Sequence, residues 1–224
     1  MLRAKTTLER VRQLFGPPIK SAYISSYEDY VKTQKEGFKA KIDTVFVQQV
    51  NIAAIASYSL SRGPVASVLC HGTRNGAEQR FFRSALPDAA VLGTEIGDGA
   101  SQFPDTIEWD FHNTKPEWIG AWDLIYSNSW DHAAEPDRAI KAWASCLSRN
   151  GILILEHTNL HTVRQVRDLD PFGASFSRLI KFANDRLKPA YKVIHKIDPL
   201  PVRDNDQRAI VIAHDQSKWS SEGP

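Results

Sequence analysis

Hydrophobic positions along the chain change their period near Gly63-Pro64. Upstream they recur at helical spacing. Ser26 can cap a helix carrying Tyr27, Tyr30, Val31 and Gln34, with Glu28 and Asp29 favourable in its first turn. Ile42, Phe46, Val50, Ala53 and Ala54 predict a second helix from about Ile42 to Leu60. Downstream, short apolar runs alternate with helical segments. The runs are Val65–Cys70, Val91–Ile96, Ile107–Phe111, Trp122–Ser127 and Ile152–His157. A helix from about Ala77 to Leu86 fits between the first two. Between the last two lies the clearest helix, opened by Glu135 and Pro136, striped by Ala139, Ile140, Trp143, Ala144 and Leu147, and closed by Gly151. This alternation predicts an α/β fold with a parallel, doubly wound sheet. The segment from Phe172 to about Leu187 reads as another helix. Tyr191–Ile197 and Arg208–His214 read as strands, and Pro199, Pro201 and Asp204-Asn205-Asp206 leave no crossover helix between them, so they should pair antiparallel. The expectation is a seven-stranded sheet, five parallel strands plus an antiparallel C-terminal pair, with N-terminal helices in front.

Composition adds exclusions. In 224 residues, 28 Lys+Arg face 26 Asp+Glu. Such balance gives no reason to expect a nucleic-acid or membrane-surface partner. Cys70 and Cys146 are the only cysteines and both lie in apolar stretches, which argues for buried thiols in a reducing compartment. No stretch approaches the roughly 18 apolar residues of a spanning helix. The first residues lack the apolar run of a secretion signal and read as a short docking helix stopped by Pro17-Pro18. A cytoplasmic protein is expected, as monomer or homodimer.

In an open α/β sheet, ligands bind at the carboxyl ends of the strands, where the strand order reverses. Polar and glycine residues gather at those ends here. The first strand runs into Cys70-His71-Gly72-Thr73-Arg74-Asn75-Gly76. Later strands end in Glu95, in Asp110, in Ser127-Asn128-Ser129 with Asp131-His132 just after, and in Glu156-His157. The glycine loop is neither Gly-x-Gly-x-x-Gly nor a Walker loop. Gly72 and Gly76 still allow a sharp turn and close backbone approach to a ligand, or simply a strand–helix turn. Glu95 stands 23 residues beyond Gly72, where an acidic side chain accepts from a ribose diol.

VASVLCHGTRNGAEQ, VLGTEIG, IEWDFHN and WDLIYSNSWDH…RNGILILEH, in this order and spacing, resemble the successive motifs of class I S-adenosylmethionine-dependent methyltransferases. Small bacterial enzymes with a Gly-Thr-Arg-Asn-Gly first motif are the nearest in look, and such proteins accompany polysaccharide or natural-product biosynthesis. The resemblance covers about Val65 to His214. With the change of pattern at Gly63-Pro64, the chain divides into a helical lid or appendage over residues 1–63, a Rossmann-like catalytic domain over 64–216 and a frayed tail over 217–224. The resemblance implies that Gly72, Thr73, Arg74, Asn75 and Gly76 hold the methionine part of the cofactor. Glu95 would hold its ribose and Ile96 its adenine face. Asp110 would accept from the adenine amino group with Phe111 beside it. Ser127 and Asn128 would line the methyl end. Cys70 stands where the family has an acidic residue, and Arg74 adds a cation that could contact the cofactor's carboxylate.

The acceptor implied is the hydroxyl of a small molecule or glycan, which needs a proton acceptor. Histidine titrates near neutrality and suits that task. His132 is the first candidate, with Asp131 to orient it or act itself, then His157, then His161. Asp131, His132, Glu156 and His157 could converge on a divalent ion, but the acidic cluster of the magnesium-dependent members of this fold is absent, so no metal is expected. Tyr27, Tyr30 and Gln34 share a helix face that could cover the cofactor, bind acceptor or pack on the sheet. The alternatives are an NAD(P)-dependent oxidoreductase, which lacks the proper glycine pattern, and a non-catalytic cofactor-binding scaffold. A nucleic-acid methyltransferase is disfavoured, since Ser-Asn-Ser-Trp stands where an Asn/Asp-Pro-Pro-Tyr motif would be needed.

Overall fold

A computed structural model describes residues 19–202 and 205–217. The docking helix read before Pro17-Pro18 and the tail beyond Ser217 lie outside these residues. Two strands, β1 (Ile19–Ser21) and β7 (Phe172–Ala174), form a small antiparallel ribbon of their own. The main sheet contains β2 (Ser67–His71), β3 (Ala90–Glu95), β4 (Thr106–Glu108), β5 (Trp122–Ser127), β6 (Leu147–His157), β8 (Tyr191–Ile197) and β9 (Arg208–His214). Its order is β4-β3-β2-β5-β6-β9-β8. Strands β2 to β6 run parallel. β9 runs against both neighbours, so β8 points the same way as the first five. The connections leave β2 in opposite directions along the sheet, which opens a crevice above its carboxyl end.

Both faces of the sheet are buried, and the strand pleat sorts the side chains. Ile125, Leu153, Leu155, Ile210 and Ile212 point to one face, where α4 (Pro136–Ser145) and α5 (Phe176–Leu187) add Ile140, Trp143, Leu179 and Phe182. Leu124, Tyr126, Ile152, Ile154 and Val211 point to the other, under α2 (Gln49–Arg62) and α3 (Ala77–Ala85), which add Ile52, Ile55 and Phe82. Cys146 belongs to the first core and Cys70 to the second, and both thiols are free. α1 (Tyr27–Ala40) is capped by Ser26, whose Oγ accepts from the Asp29 amide at 3.0 Å. Among the described residues, no helix is long and apolar enough to cross a membrane.

Local boundaries differ from the sequence reading in four places. α2 starts at Gln49 rather than Ile42, because the carbonyls of Ile42 and Thr44 are taken by the side chain of Asn75, at 2.8 and 3.4 Å, instead of by helical amides. α4 ends at Ser145, and Leu147 and Gly151 both belong to β6. Gly151 allows close backbone approach there, since a Cβ would lie 2.5 Å from the Trp122 carbonyl oxygen. The run at Phe172 is first a strand paired with β1, and the helix begins only at Phe176. β4 stops at Glu108, which leaves Asp110 and Phe111 in a turn above the sheet.

Gln79 of α3 lies across β3. Its Nε2 donates to Thr73 Oγ1 at 3.0 Å and to Thr106 Oγ1 at 2.9 Å, and a Cβ on Gly93 would fall 1.7 Å from that nitrogen. Gly93→Ala should therefore lower the stability by about 1–3 kcal/mol, as overpacking of a filled core does. A urea titration with a reduced midpoint and unchanged slope is the expected outcome. An unshifted midpoint would show that Gln79 moves aside freely.

Candidate functional site

The crevice is built first by the turn after β2. Gly72, Arg74 and Gly76 have φ of +74°, +45° and +72°. Two of these left-handed positions are glycine, as steric freedom requires, while Arg74 is held there as a non-glycine residue. Its amide donates to Glu95 Oε2 at 2.8 Å. A Cβ on Gly72 would lie 2.6 Å from the Ser129 Cβ, so this turn sits directly against the one after β5. Thr73 is buried and accepts from Gln79, which fixes the loop from beneath.

Three amides converge on Glu95. Besides Arg74, those of Ile96 and Gly97 donate to Oε1 at 2.9 and 3.2 Å. Burial raises the pKa of this carboxyl, and the three amides oppose that shift. Asp110 is gripped from two sides. His112 contacts Oδ1 through its amide at 2.9 Å and Nδ1 at 2.8 Å, and Tyr27 of α1 donates its hydroxyl to Oδ2. Burial works against the charge of Asp110, but the bonds from His112 and Tyr27 outweigh it and hold the carboxyl below its ordinary range.

Gly72, Arg74, Glu95, Ile96, Asp110 and Phe111 line one narrow pocket. Its roof is α1, through Tyr30, Gln34 and Phe38. The Phe38 ring presses on the backbone beside Glu95, since a Cβ on Gly97 would lie 2.2 Å from it. A second, wider pocket opens beside the first and shares Lys41, Gly72, Arg74, Ser129 and His132 with it. Thr73, Asn75 and Asn128 line this second pocket, together with Asp131, Asp170, Glu78 and Glu156. The Arg74 guanidinium lies 4.8 Å from the Phe46 ring centroid and 3.3 Å from the Thr44 carbonyl. With Asn75 it clasps the connection between α1 and α2 as the pocket's outer wall.

His132 stands at the junction of the two pockets, on the short 3-10 turn Trp130–His132 after β5. Gln34 donates from Nε2 to the Leu169 carbonyl at 2.8 Å, which turns its Oε1 toward His132 Nδ1 at 3.0 Å. His132 Nε2 lies 3.4 Å from Asp170 Oδ1, an ion pair when the imidazole is protonated. Burial lowers the pKa of His132 against the pull of Asp131 and Asp170. Asp131 is buried, which pushes its carboxyl up to about 6, and its Oδ1 has no hydrogen-bond partner. His161 Nε2 approaches that oxygen at 3.9 Å. Asp131, His132 and Asp170 each offer a ligand atom within 4.8 Å of the others, a donor set able to take a divalent ion.

Three expected residues stand elsewhere. Gly76 lines neither pocket and turns the chain into α3 at φ +72°. His157 lines neither pocket. Its Nε2 is 3.0 Å from the Ala174 carbonyl, its ring stacks on Trp130, and burial lowers its pKa to about 4. Ser127 also lines neither, and its Oγ donates to the His71 carbonyl at 3.1 Å while accepting from the Ser129 amide at 3.0 Å. It shapes the turn that carries Asn128 and Ser129. Sequence reasoning did not single out Glu78 or Phe38, and it read Asp170 as the start of an Asp-Pro-Phe-Gly turn that could line the acceptor site, without linking it to His132. Asp170 lies 38 residues beyond His132, and no local pattern couples the two. Glu78 and Phe38 look like ordinary helix residues until the crevice is assembled.

No protein-family profile matches the sequence, and no curated protein matches it. Solved structures do match. The chain is similar to the 1,6-didemethyltoxoflavin-N1-methyltransferase of Burkholderia thailandensis, solved with 1,6-didemethyltoxoflavin and S-adenosylhomocysteine, at TM-score 0.63 and 12% identity over 86% of this chain and 92% of that one. It is similar to the N-methyltransferase NodS of Bradyrhizobium japonicum WM9 in complex with S-adenosylhomocysteine, at TM-score 0.59 and 13% identity over 82% and 99% of the two chains. It is also similar to the [4+2]-cyclase SpnF, at TM-score 0.53 and 15% identity over 72% and 80%. At these identities the likeness establishes the Rossmann-like methyltransferase fold. The cyclase shows that this fold hosts more than one chemistry.

Glu78 provides a test of the site's electrostatics. Burial raises its carboxyl to about 8 from an ordinary value near 4.5. Between those values the folded chain keeps a proton that the unfolded chain sheds, so this contribution to stability is present below about pH 4.5 and lost as pH rises through about 8. Relative to the parent protein, Glu78→Gln should gain thermal midpoint steadily from about pH 5 to about pH 8.5. A pH-independent difference in midpoint would count against a buried, protonated Glu78.

Proposed function

We propose that the protein transfers a methyl group from S-adenosylmethionine to a hydroxyl of a small molecule or sugar. The observation that carries this reading is the pair of adjoining pockets at the sheet's switch point, one ending on Glu95 and Asp110, the other polar and open, with His132 at their junction. The narrow pocket fits the cofactor chemically. Its turn approaches closely through Gly72, and it offers one carboxylate to a ribose diol at Glu95 and one to an adenine amino group at Asp110, with Ile96 and Phe111 as apolar faces. The turn Gly72–Gly76 would take the amino-acid end, and Asn128 the methyl end. S-adenosylmethionine supplies a methyl group on a positively charged sulfur, already activated for in-line displacement.

What remains for the chain is positioning, exclusion of water and removal of one proton. α1 closes over the narrow pocket. The wide pocket presents carboxylate, amide and hydroxyl groups in the density that a polyol needs. His132 is our proton acceptor, since it lines both pockets and its Nδ1 is held by Gln34. Asp170, at 3.4 Å, would stabilise the imidazolium that results, and Asp131 lies on its other side. The three-residue cluster also supports a second reading, in which a divalent ion there lowers the pKa of the acceptor hydroxyl.

Calorimetric titration should give micromolar or tighter binding of S-adenosylhomocysteine and none of NADH. Glu95→Ala should weaken that binding by about tenfold or more, since it removes a charged hydrogen-bond acceptor. With an acceptor found among sugars and small alcohols, His132→Asn should cost about 100- to 10,000-fold in turnover while product binding is retained. Turnover abolished by a chelator and restored by a divalent ion would favour the ion reading. Binding of NADH alone would transfer the site to an oxidoreductase, and cofactor binding without turnover on any acceptor would mark a scaffold.

A further inference from the structure

We infer that the acceptor carries a phosphate monoester, which Lys41 and Arg74 are placed to receive at the outer side of the wide pocket. This deepens the methyl-transfer reading and rests on it. Lys41 directly follows α1, and Arg74 stands in the turn after β2. Both line the wide pocket, and so does Arg167, from the segment ahead of β7. Lys41 Nζ and Arg74 Cζ lie 5.9 and 4.8 Å from the centroid of one ring, that of Phe46, which is 47% exposed. Among the described residues, neither of these two cations forms an ion pair with a carboxylate. Arg167 does, with Asp170.

An ammonium held partly out of water near two guanidinium groups is unfavourable unless a negative charge answers it. Burial lowers the pKa of Lys41, and Arg167 and Arg74 press in the same direction, against Asp170 and Asp131. The carboxyls of the crevice are otherwise engaged. Glu95 accepts from three amides, Asp110 is gripped by His112 and Tyr27, and Asp170 pairs with Arg167. Burial raises Glu78, Glu156 and Asp131 to about 8, 7 and 6, toward their neutral forms. These three offer hydrogen bonds to a polyol at the inner end, while the fixed positive charge stands on the outer side. S-adenosylmethionine does not cancel that charge, because its sulfonium and ammonium exceed its single carboxylate. A phosphate monoester brings about 1.5 to 2 negative charges at neutral pH and three acceptor oxygens, which a lysine and an arginine can share. A carboxylate brings one charge and would leave one of the two cations unanswered. The fields of Lys41 and Arg74 both reach His132, so a phosphate between them would anchor the acceptor near the proposed proton acceptor.

The test uses the whole protein and its Lys41→Gln and Lys41→Arg variants, each first shown to be folded by its thermal transition. Protein saturated with S-adenosylhomocysteine, in a phosphate-free buffer, is titrated calorimetrically with glucose 6-phosphate, glucose, glucuronate and inorganic phosphate. Glucose 6-phosphate should bind about 10- to 100-fold more tightly than glucose, since it adds hydrogen bonds between charged groups. Inorganic phosphate should compete with it, and added NaCl should weaken both phosphate ligands. Lys41→Gln should lose most of the preference for phosphate, and Lys41→Arg should keep it. Equal binding of glucose 6-phosphate and glucose, a preference for glucuronate, or a phosphate preference that survives in Lys41→Gln would overturn the inference. So would a loss in Lys41→Gln that falls on S-adenosylhomocysteine as heavily as on glucose 6-phosphate, since the cation would then serve the cofactor. If the parent protein binds none of the three sugars, inorganic phosphate decides. Phosphate binding that Lys41→Gln abolishes supports the site, and absence of phosphate binding overturns it. Failure of the parent protein to bind S-adenosylhomocysteine would sink the methyl-transfer reading separately, and the same titrations of the free protein would then decide the phosphate site.

Discussion

One hydrogen bond organises the crevice. The Arg74 amide, held in a left-handed turn, donates to the Glu95 carboxylate at the end of the next strand. It locks the loop after β2 to the end of β3 and sets the direction of the turn on both sides. Backward, the turn brings Gly72 against Ser129, which fixes the loop that carries Asp131 and His132. Forward, it sends the Arg74 and Asn75 side chains out to the carbonyls of Ile42 and Thr44. The connection between α1 and α2 is thereby a wall of the site rather than a free linker. An amide bonded to a buried carboxylate is a charge-assisted contact, so this point is both strong and intolerant of change.

α1 depends on that wall and in turn reaches both pockets. Tyr27 meets Asp110 at one end, Phe38 covers the backbone beside Glu95, and Gln34 holds the imidazole of His132. One helix thus covers the narrow pocket and contacts the imidazole at the junction. Under the proposed methyl transfer, closure and proton handling would share that helix. The amide of Gln34 is itself oriented by the Leu169 carbonyl, one residue before Asp170. The segment ahead of β7 is therefore built into the same arrangement, and the ribbon of β1 and β7 anchors it.

Several titratable groups with little exposure share one pocket: Glu78, Glu156, Asp131 and His132 collect around the wide one. Burial raises the three acids and lowers the histidine, so each is biased toward its neutral form near neutral pH. Neutral groups are tolerable in a dry pocket and become charged when a ligand supplies the partner. Such groups are poorly explained by stability, and well explained by a site that exchanges protons with what it binds.

Much of the fold was legible in the chain. Alternation of apolar runs with amphipathic helices is a local property, and burial of a sheet on both faces leaves few other ways to satisfy it. The parallel strands, the antiparallel final pair and the row of polar strand ends all followed from periodicity and turn chemistry. Glu95 and the Gly72–Gly76 turn were recognisable because their roles depend on short spacings next to a strand. What was not legible depends on contacts between distant segments. Leu147 carried helical spacing yet joined β6, since a strand could be lengthened there against β5. Phe172 joined β1 because a partner strand lay beside it. His157 looked like a second candidate base until the Ala174 carbonyl claimed its nitrogen. Glu78, and the link of Gln34 and Asp170 to His132, acquired meaning only when loops and helices far apart in sequence met at one corner. Local pattern determines which elements form, because backbone periodicity acts over a few residues. The chemistry of a side chain is decided by its neighbours, its burial and the hydrogen bonds left open to it, and those exist only after the chain has folded.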